Sequence, residues 1–297
     1  MVVRRGFTLI EIILVLVVLA ILSAGTFKAI EAIYTRSAQA KAMTDLSLQS
    51  QIVLDQLSIL LYNRIPNSVI GYDANDATCE PIGELSVSKP ILEWLAIADD
   101  ELLRGDYDGF VDMNASWPKP KLIVPGNKMT DNTNLNLIFA GTFDGGSEDI
   151  SACYGAFGWH TAASSDLSFD FNFLPDNNIS ITDVKLPEFI YEKYYLTNTA
   201  YAVARGADVN VSGCTIDSSI VVNDNTLLLF YNYYPYKTPS ETFCGDGGVG
   251  DVTVLAQDVT AFSAQETNNI IRLSIDMQRE IRGKTCGVHV SKQKAVF

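Results

Sequence analysis

A single carboxylate, Glu11, interrupts an otherwise uncharged run of 21 residues from Phe7 to Phe27. Even on a lenient insertion scale a charge in such a span costs on the order of 2.5 to 3.5 kcal/mol, so this carboxylate calls for a cation. Arg4 and Arg5 stand just upstream, and Gly6-Phe7 is the peptide bond that separates them from the apolar run. A cut between Gly6 and Phe7 would free an α-amine four residues from Glu11, on the same helical face. The chemistry expected at this end is therefore proteolysis that creates the partner Glu11 lacks.

Other chemistry-bearing residues are sparse. Asp106, Asp108, Gly109 and Asp112 spell D-x-D-G-x-x-D, a short acidic loop whose oxygens make calcium a candidate ligand. An EF-hand loop would need ligands further on and a late bidentate Glu, which is missing here; the competing reading is an acidic surface turn. His160 and His289 are the two histidines, and neither has a second His or Cys at ligand spacing, so no metal or acid–base role is expected of them. There is no G-x-S-x-G, H-E-x-x-H or P-loop pattern. No catalytic residue and no cofactor follow from these motifs.

Five cysteines, at 79, 153, 214, 244 and 286, all lie after the apolar run and none forms a C-x-x-C pair. That argues against zinc and, in an oxidising compartment, for one or two disulfides with one thiol left over. About 15 two-bridge patterns are open. The short interval makes Cys214 to Cys244 the first candidate.

These residues must be positioned by a helix. From Phe7 to Phe27 an α-helix spans roughly 31 Å, enough to cross a bilayer. Arg4 and Arg5 keep the extreme N-terminus cytoplasmic and send the rest across. A secretory signal peptide is a poor alternative, because Leu22-Ser23-Ala24 puts a bulky residue at its cleavage site; neither it nor a plain anchor explains Glu11. Helical periodicity continues through Phe27, Ile30, Ile33, Tyr34, Leu46, Ile52, Val53, Leu57, Leu60 and Leu61, predicting an amphipathic stretch that ends near Arg64, before Pro66. The expected organisation is a leader over 1–6, a helix over 7–64 (7–27 in the membrane, 28–64 amphipathic) and a β-rich globular domain over 65–297.

Residues 66–146 show turns and little periodicity, with helical turns expected near Pro90 to Leu103. Beyond them β character dominates. Phe189 to Leu196 and Tyr201 to Ala204 read as a hairpin about Asn198; Ile220 to Val222 and Thr226 to Tyr231 read as another about Asn223-Asp224-Asn225. Tyr191, Tyr194, Tyr195 and Tyr201 are expected in packing rather than on a sticky face. Ile271, Leu273 and Ile275 alternate with Arg272, Ser274 and Asp276, as in a strand with one buried face. Helix first and antiparallel strands later predict an α+β fold.

Arg5-Gly6-Phe7-Thr8-Leu9-Ile10-Glu11 resembles the cleavage and methylation site of type IV prepilins and type II secretion pseudopilins. The resemblance implies that a prepilin peptidase cuts after Gly6 and methylates Phe7, and that Glu11 pairs with the terminal amine of a neighbouring subunit during assembly. Where many major pilins carry a helix-kinking proline this chain has Lys28, which is more like pseudopilins and some minor pilins. More loosely, the order of segments over residues 186–297 resembles larger minor pilins and J-type minor pseudopilins; residues 66–185 resemble nothing recognised. The family implies a structural subunit in the bacterial inner membrane with its C-terminal domain in the periplasm, later part of a pilus or pseudopilus. The implied partners are other subunits, an inner-membrane platform protein and a cytoplasmic ATPase.

The bulk numbers agree with a structural role. With 47% hydrophobic residues the chain can bury a full core. Its net charge is -14, and loss of residues 1–6 takes Lys+Arg from 21 to 19 against 35 acids, giving -16. An acidic surface is a poor match for nucleic acid. A tip-exposed binding module is the alternative function, and a membrane-anchored periplasmic enzyme the rival from another class, for which no convergent set of titratable residues is visible.

Overall fold

The computed structural model describes residues 8–85, 87–116, 121–139, 156–160, 167–176, 178–182, 190–216, 220–268, 270–281 and 287–297. Its contacts group the chain into two units, Met1–Leu48 with Gln278–Val290, and Gln49–Met277 with Ser291–Phe297. One long helix and mostly antiparallel sheets make the fold α+β, with the helix packed on sheets.

Helix α1 (Leu9–Tyr62) runs for 54 residues, about 80 Å of axis. It contains no proline and only one glycine, Gly25, so nothing interrupts its hydrogen-bond ladder. It stops two residues short of the expected Arg64. There the Arg64 guanidinium donates to the Leu61 carbonyl at 2.7 Å, satisfying an acceptor that the last turn leaves unpaired. The chain then joins a strand, with Ile65 N donating to Leu95 O and Asn63 O accepting from Ile97 N, both at 2.9 Å.

The apolar stripe differs from the one expected. Phe27, Ile30, Ile33 and Tyr34 are all exposed, and so is Ile52, which points away from the buried face. The buried face consists of Ala42, Leu46, Ser50, Val53, Leu54, Leu57 and Leu61, in i, i+3, i+4 relation. Each large apolar member contributes roughly 2 kcal/mol by leaving water. Among the described residues, none covers the helix before residue 35.

Fourteen strands occur among the described residues: β1 (Ile70–Asp73), β2 (Thr78–Pro81), β3 (Ile91–Ile97), β4 (Lys121–Ile123), β5 (Asn136–Phe139), β6 (Ser168–Phe169), β7 (Phe171–Leu174), β8 (Asn178–Ile181), β9 (Tyr194–Arg205), β10 (Leu227–Tyr233), β11 (Asp251–Ala256), β12 (Val259–Thr267), β13 (Ile270–Arg279) and β14 (Val288–Val296). Eight form one sheet in the order β11-β10-β9-β3-β1-β2, with β5 also on β9 and β6 on β5. Two three-stranded sheets, β12-β13-β14 and β4-β8-β7, complete the set. Beside α1, Lys294 Nζ on β14 stands 2.6 Å from Asp55 Oδ1.

Three expectations need correction. The hairpin about Asn198 is one continuous strand, β9. Thr197 pairs with Ile97 and Thr199 with Ala96, so Asn198 is the extra residue of a bulge against β3 rather than a turn. The central position of β9 decides this: β3 takes one edge, while β10 and β5 share the other. The Asn223 turn exists, with Thr226 N donating to Asn223 O at 2.9 Å, but Ile220 to Val222 is not a strand. β10 already has β9 and β11 on its two edges, leaving no place for a third partner. Finally, helix appears only at α2 (Asp99–Arg104), because Ile91–Ile97 is a strand buried along most of its length. Asp99, Asp100 and Glu101 open α2, Arg104 closes it, and Gly105 at φ 71° forms its left-handed cap.

The alternation in β13 is as read, with Ile271, Leu273, Ile275 and Met277 buried. Among the described residues of the larger unit, two of the core clusters are built on aromatic side chains. One includes Trp159, Phe230, Tyr233 and Phe243, and the other Tyr107, Phe139, Phe171 and Tyr194. Tyr194 is thus a core residue, and Tyr201 packs on Trp94 with ring centroids 5.5 Å apart.

Candidate functional site

The N-terminal end of α1 is built from Thr8 and Glu11. Thr8 N and Thr8 Oγ1 both donate to Glu11 Oε2, at 3.0 and 3.1 Å, while Glu11 N faces Thr8 Oγ1 at 3.4 Å. This is a reciprocal capping box, T-x-x-E, satisfying amides that the first turn leaves unpaired. Glu11 therefore has a local hydrogen-bonding task as well as a charge, a task the sequence reading missed although the T-x-x-E spacing announces it. Gly6 and Phe7, where cleavage is expected, lie outside the described residues.

Every residue from Thr8 to Tyr34 is exposed, and the most apolar 18-residue window of α1 has a mean hydropathy of 2.7 with none of it buried. A helix apolar all round and uncovered by its own chain is suited to lipid or to neighbouring apolar helices. Residues 1–27 match the prokaryotic N-terminal methylation motif. The chain carries a prepilin-type N-terminus. Beyond that motif, no match exists among curated proteins or solved structures.

The prepilin-type motif, continued by a long apolar helix, fits a membrane-anchored, type IV pilin-like protein. Such a motif implies processing by a peptidase and assembly with other pilin subunits. The apolar rod supplies the surface that assembly would use, and Glu11 is the one polar mark on it between Leu9 and Phe27 that carries charge.

The acidic loop behaves differently. Asp106 Oδ2 pairs with Arg104 Nε at 2.9 Å, Asp108 Oδ1 accepts from Phe110 N at 3.0 Å, and Asp112 Oδ1 accepts from Ala115 N at 2.9 Å. Each carboxylate is engaged with its own stretch of chain, and among the described residues no group of three His, Cys, Asp or Glu side chains is placed to hold a metal ion. Millimolar calcium is accordingly expected to leave the melting temperature unchanged within about 1 °C; differential scanning calorimetry with and without chelator checks this. Cys214 and Cys244 are joined by a disulfide with Cα atoms 5.3 Å apart, and Cys79 is also disulfide-bonded. Cys153 and Cys286 lie outside the described residues.

A buried polar cluster in the larger unit escaped the sequence reading. His160 Nε2 stands 2.6 Å from Glu93 Oε1 on β3, and Nδ1 stands 3.3 Å from Asp246 Oδ2, two residues after Cys244. Tyr233 at the end of β10 donates to Glu93 Oε2 at 2.8 Å, and Tyr72 on β1 stacks on the imidazole with centroids 3.5 Å apart. Burial pushes the imidazole pKa down, but the Glu93 carboxylate, aided by Asp246, outweighs it and lifts the value from 6.5 to about 9. Burial also holds the Tyr233 phenol well above its ordinary range, so it remains a donor. Glu93 is fully buried and the His160 side chain 6% exposed, and the cluster ties β1, β3, β10 and the Cys244 turn together. The signal available in sequence was Glu93 itself, a lone carboxylate in the apolar run Ile-Leu-Glu-Trp-Leu-Ala-Ile, which requires a buried partner.

Proposed function

We propose that this chain is a structural pilin-class subunit, cleaved after Gly6, methylated at Phe7 and incorporated through its apolar helix into a type IV pilus or a type II secretion pseudopilus. The observation that carries the reading is the methylation motif running without a break into a 54-residue helix whose first apolar stretch is uncovered. Its size and Lys28 favour a low-copy subunit that primes assembly or sits at the tip. On this reading the sheet-rich unit is periplasmic before assembly, and a platform protein and a cytoplasmic ATPase supply the motion. Catalysis forms no part of the proposal.

Intact mass and N-terminal sequencing of the full chain, expressed with and without a prepilin peptidase, test this. The expected product begins at methylated Phe7 only when the peptidase is present. A chain beginning near Gly25, or uncut at Met1 with the active peptidase, would overturn the reading.

A further inference from the structure

We propose that Asn210 is the acceptor for an N-linked glycan. The chain contains three Asn-x-Ser triplets, at Asn114, Asn178 and Asn210, and each has an aspartate two residues before the asparagine: Asp112, Asp176 and Asp208. With 35 acids among 297 residues, an acid at that place in all three is roughly a one-in-600 coincidence, so the repeated pattern is Asp-x-Asn-x-Ser rather than the bare triplet. An amide nitrogen is a weak nucleophile and needs a transferase to position it. The serine hydroxyl gives such an enzyme a hydrogen-bonding point on one side of the asparagine, and the carboxylate gives it a charge to hold with arginine on the other.

The fold separates the three. Asn178 is 8% exposed and its Nδ2, the atom to be modified, donates to Pro175 O at 2.8 Å, which leaves no place for a bulky group. Asn114 is exposed, but Ser116 is buried and accepts from Ile123 N at 2.8 Å. At Asn210 both the amide and Ser212 are exposed, on the connection between β9 and β10. Asn210 Oδ1 accepts from Ser212 N at 3.1 Å, an interaction that engages the oxygen and not the nitrogen. The backbone here is anchored, with Asn210 N donating to Gly245 O at 3.0 Å and the Cys214–Cys244 disulfide close behind. Asp208 pairs with Arg205, Oδ2 to Nε at 3.2 Å, in a half-buried position where an arginine of the enzyme would replace its partner like for like.

The donor is a lipid-diphosphate-linked oligosaccharide. Nδ2 bonds to the anomeric carbon, the bond from that carbon to the diphosphate oxygen breaks, and the proton lost by Nδ2 ends on the released lipid diphosphate. In the cell this requires the sheet-rich unit on the far side of the membrane, and so rests on the periplasmic placement proposed above. A reaction with purified components does not, so its failure would concern Asn210 alone.

The test incubates the folded full chain in detergent with a purified bacterial oligosaccharyltransferase that reads acidic sequons and an undecaprenyl-diphosphate-linked oligosaccharide, beside a short peptide carrying Asp-x-Asn-x-Ser. Intact mass and glycopeptide mapping give the result. A glycan on Asn210 is expected, lost in Asn210→Gln and Ser212→Ala and formed at least tenfold more slowly in Asp208→Asn. Asn210 and Ser212 are exposed, so their variants keep the fold if Asp208→Asn does not. Modification of the peptide but not of the chain, a glycan on Asn114 or Asn178 with Asn210 left bare, or transfer indifferent to Ser212→Ala would overturn the proposal.

Discussion

Raising the pH from 6.5 to 9 should remove up to about 3 kcal/mol of stability from the folded unit, and His160→Gln should abolish that dependence. The sign follows from the geometry. The folded imidazole titrates near 9 and the unfolded one near 6.5, so the folded state holds one more proton between these values. The contribution is complete below pH 6.5, declines through the window and is gone above about 9. The groups facing His160 are Glu93, Asp246, Tyr72 and Tyr233. Near neutral pH the variant leaves Glu93 buried without its cation, and removing one partner of a buried pair costs about 3 kcal/mol or more. For a domain of this size that is a fall of roughly 6 to 12 °C in melting temperature. Denaturation curves at pH 6.5, 7.5 and 9 check both results, and a wild-type stability that stays flat over the window refutes the assignment.

The second large effect concerns Glu11, whose replacement by Ala should permit cleavage yet reduce recovery of the subunit in sheared filaments at least tenfold, a change of about 1.4 kcal/mol or more. Alanine removes both the cap on Thr8 and the charge that the proposed pairing with a neighbour's amine requires. Glu11→Gln separates them, because its amide oxygen can still accept from Thr8 N while the charge is gone. Incorporation lost in both variants assigns the effect to charge. Incorporation lost in Ala alone assigns it to the cap, and normal filament numbers with normal co-purification in both would refute an assembly role. Quantitative immunoblotting of the cell and filament fractions gives the answer.

The helix was legible because its period and its lack of proline are local properties, and β13 was legible because alternation is too. The motif at residues 5–11 was legible for the same reason. What failed was the pairing of strands. Asn198 carries the chemistry of a turn, and only the simultaneous presence of β3, β5 and β10 along β9 makes it a bulge. Ile220 to Val222 has the composition of a strand but meets an edge already occupied. The stripe on α1 was misplaced because periodicity says which residues share a face, not how far the partner surface extends. The His160 cluster draws its members from positions 72, 93, 160, 233 and 246, a separation that no spacing rule spans. Glu93 and Glu11 posed the same question, a carboxylate in apolar company. The sequence reading asked it only of the second.

Between Leu9 and Phe27 no side chain is covered by the rest of the protein, while the sheets close over their own cores. The two parts therefore answer to different solvents. Water is enough to fold the sheets, but the rod can only trade one hydrocarbon surrounding for another, lipid for the flanks of its neighbours. A free subunit in the aqueous phase is thus nearly without a population. Its solubility is set by whatever surrounds the helix.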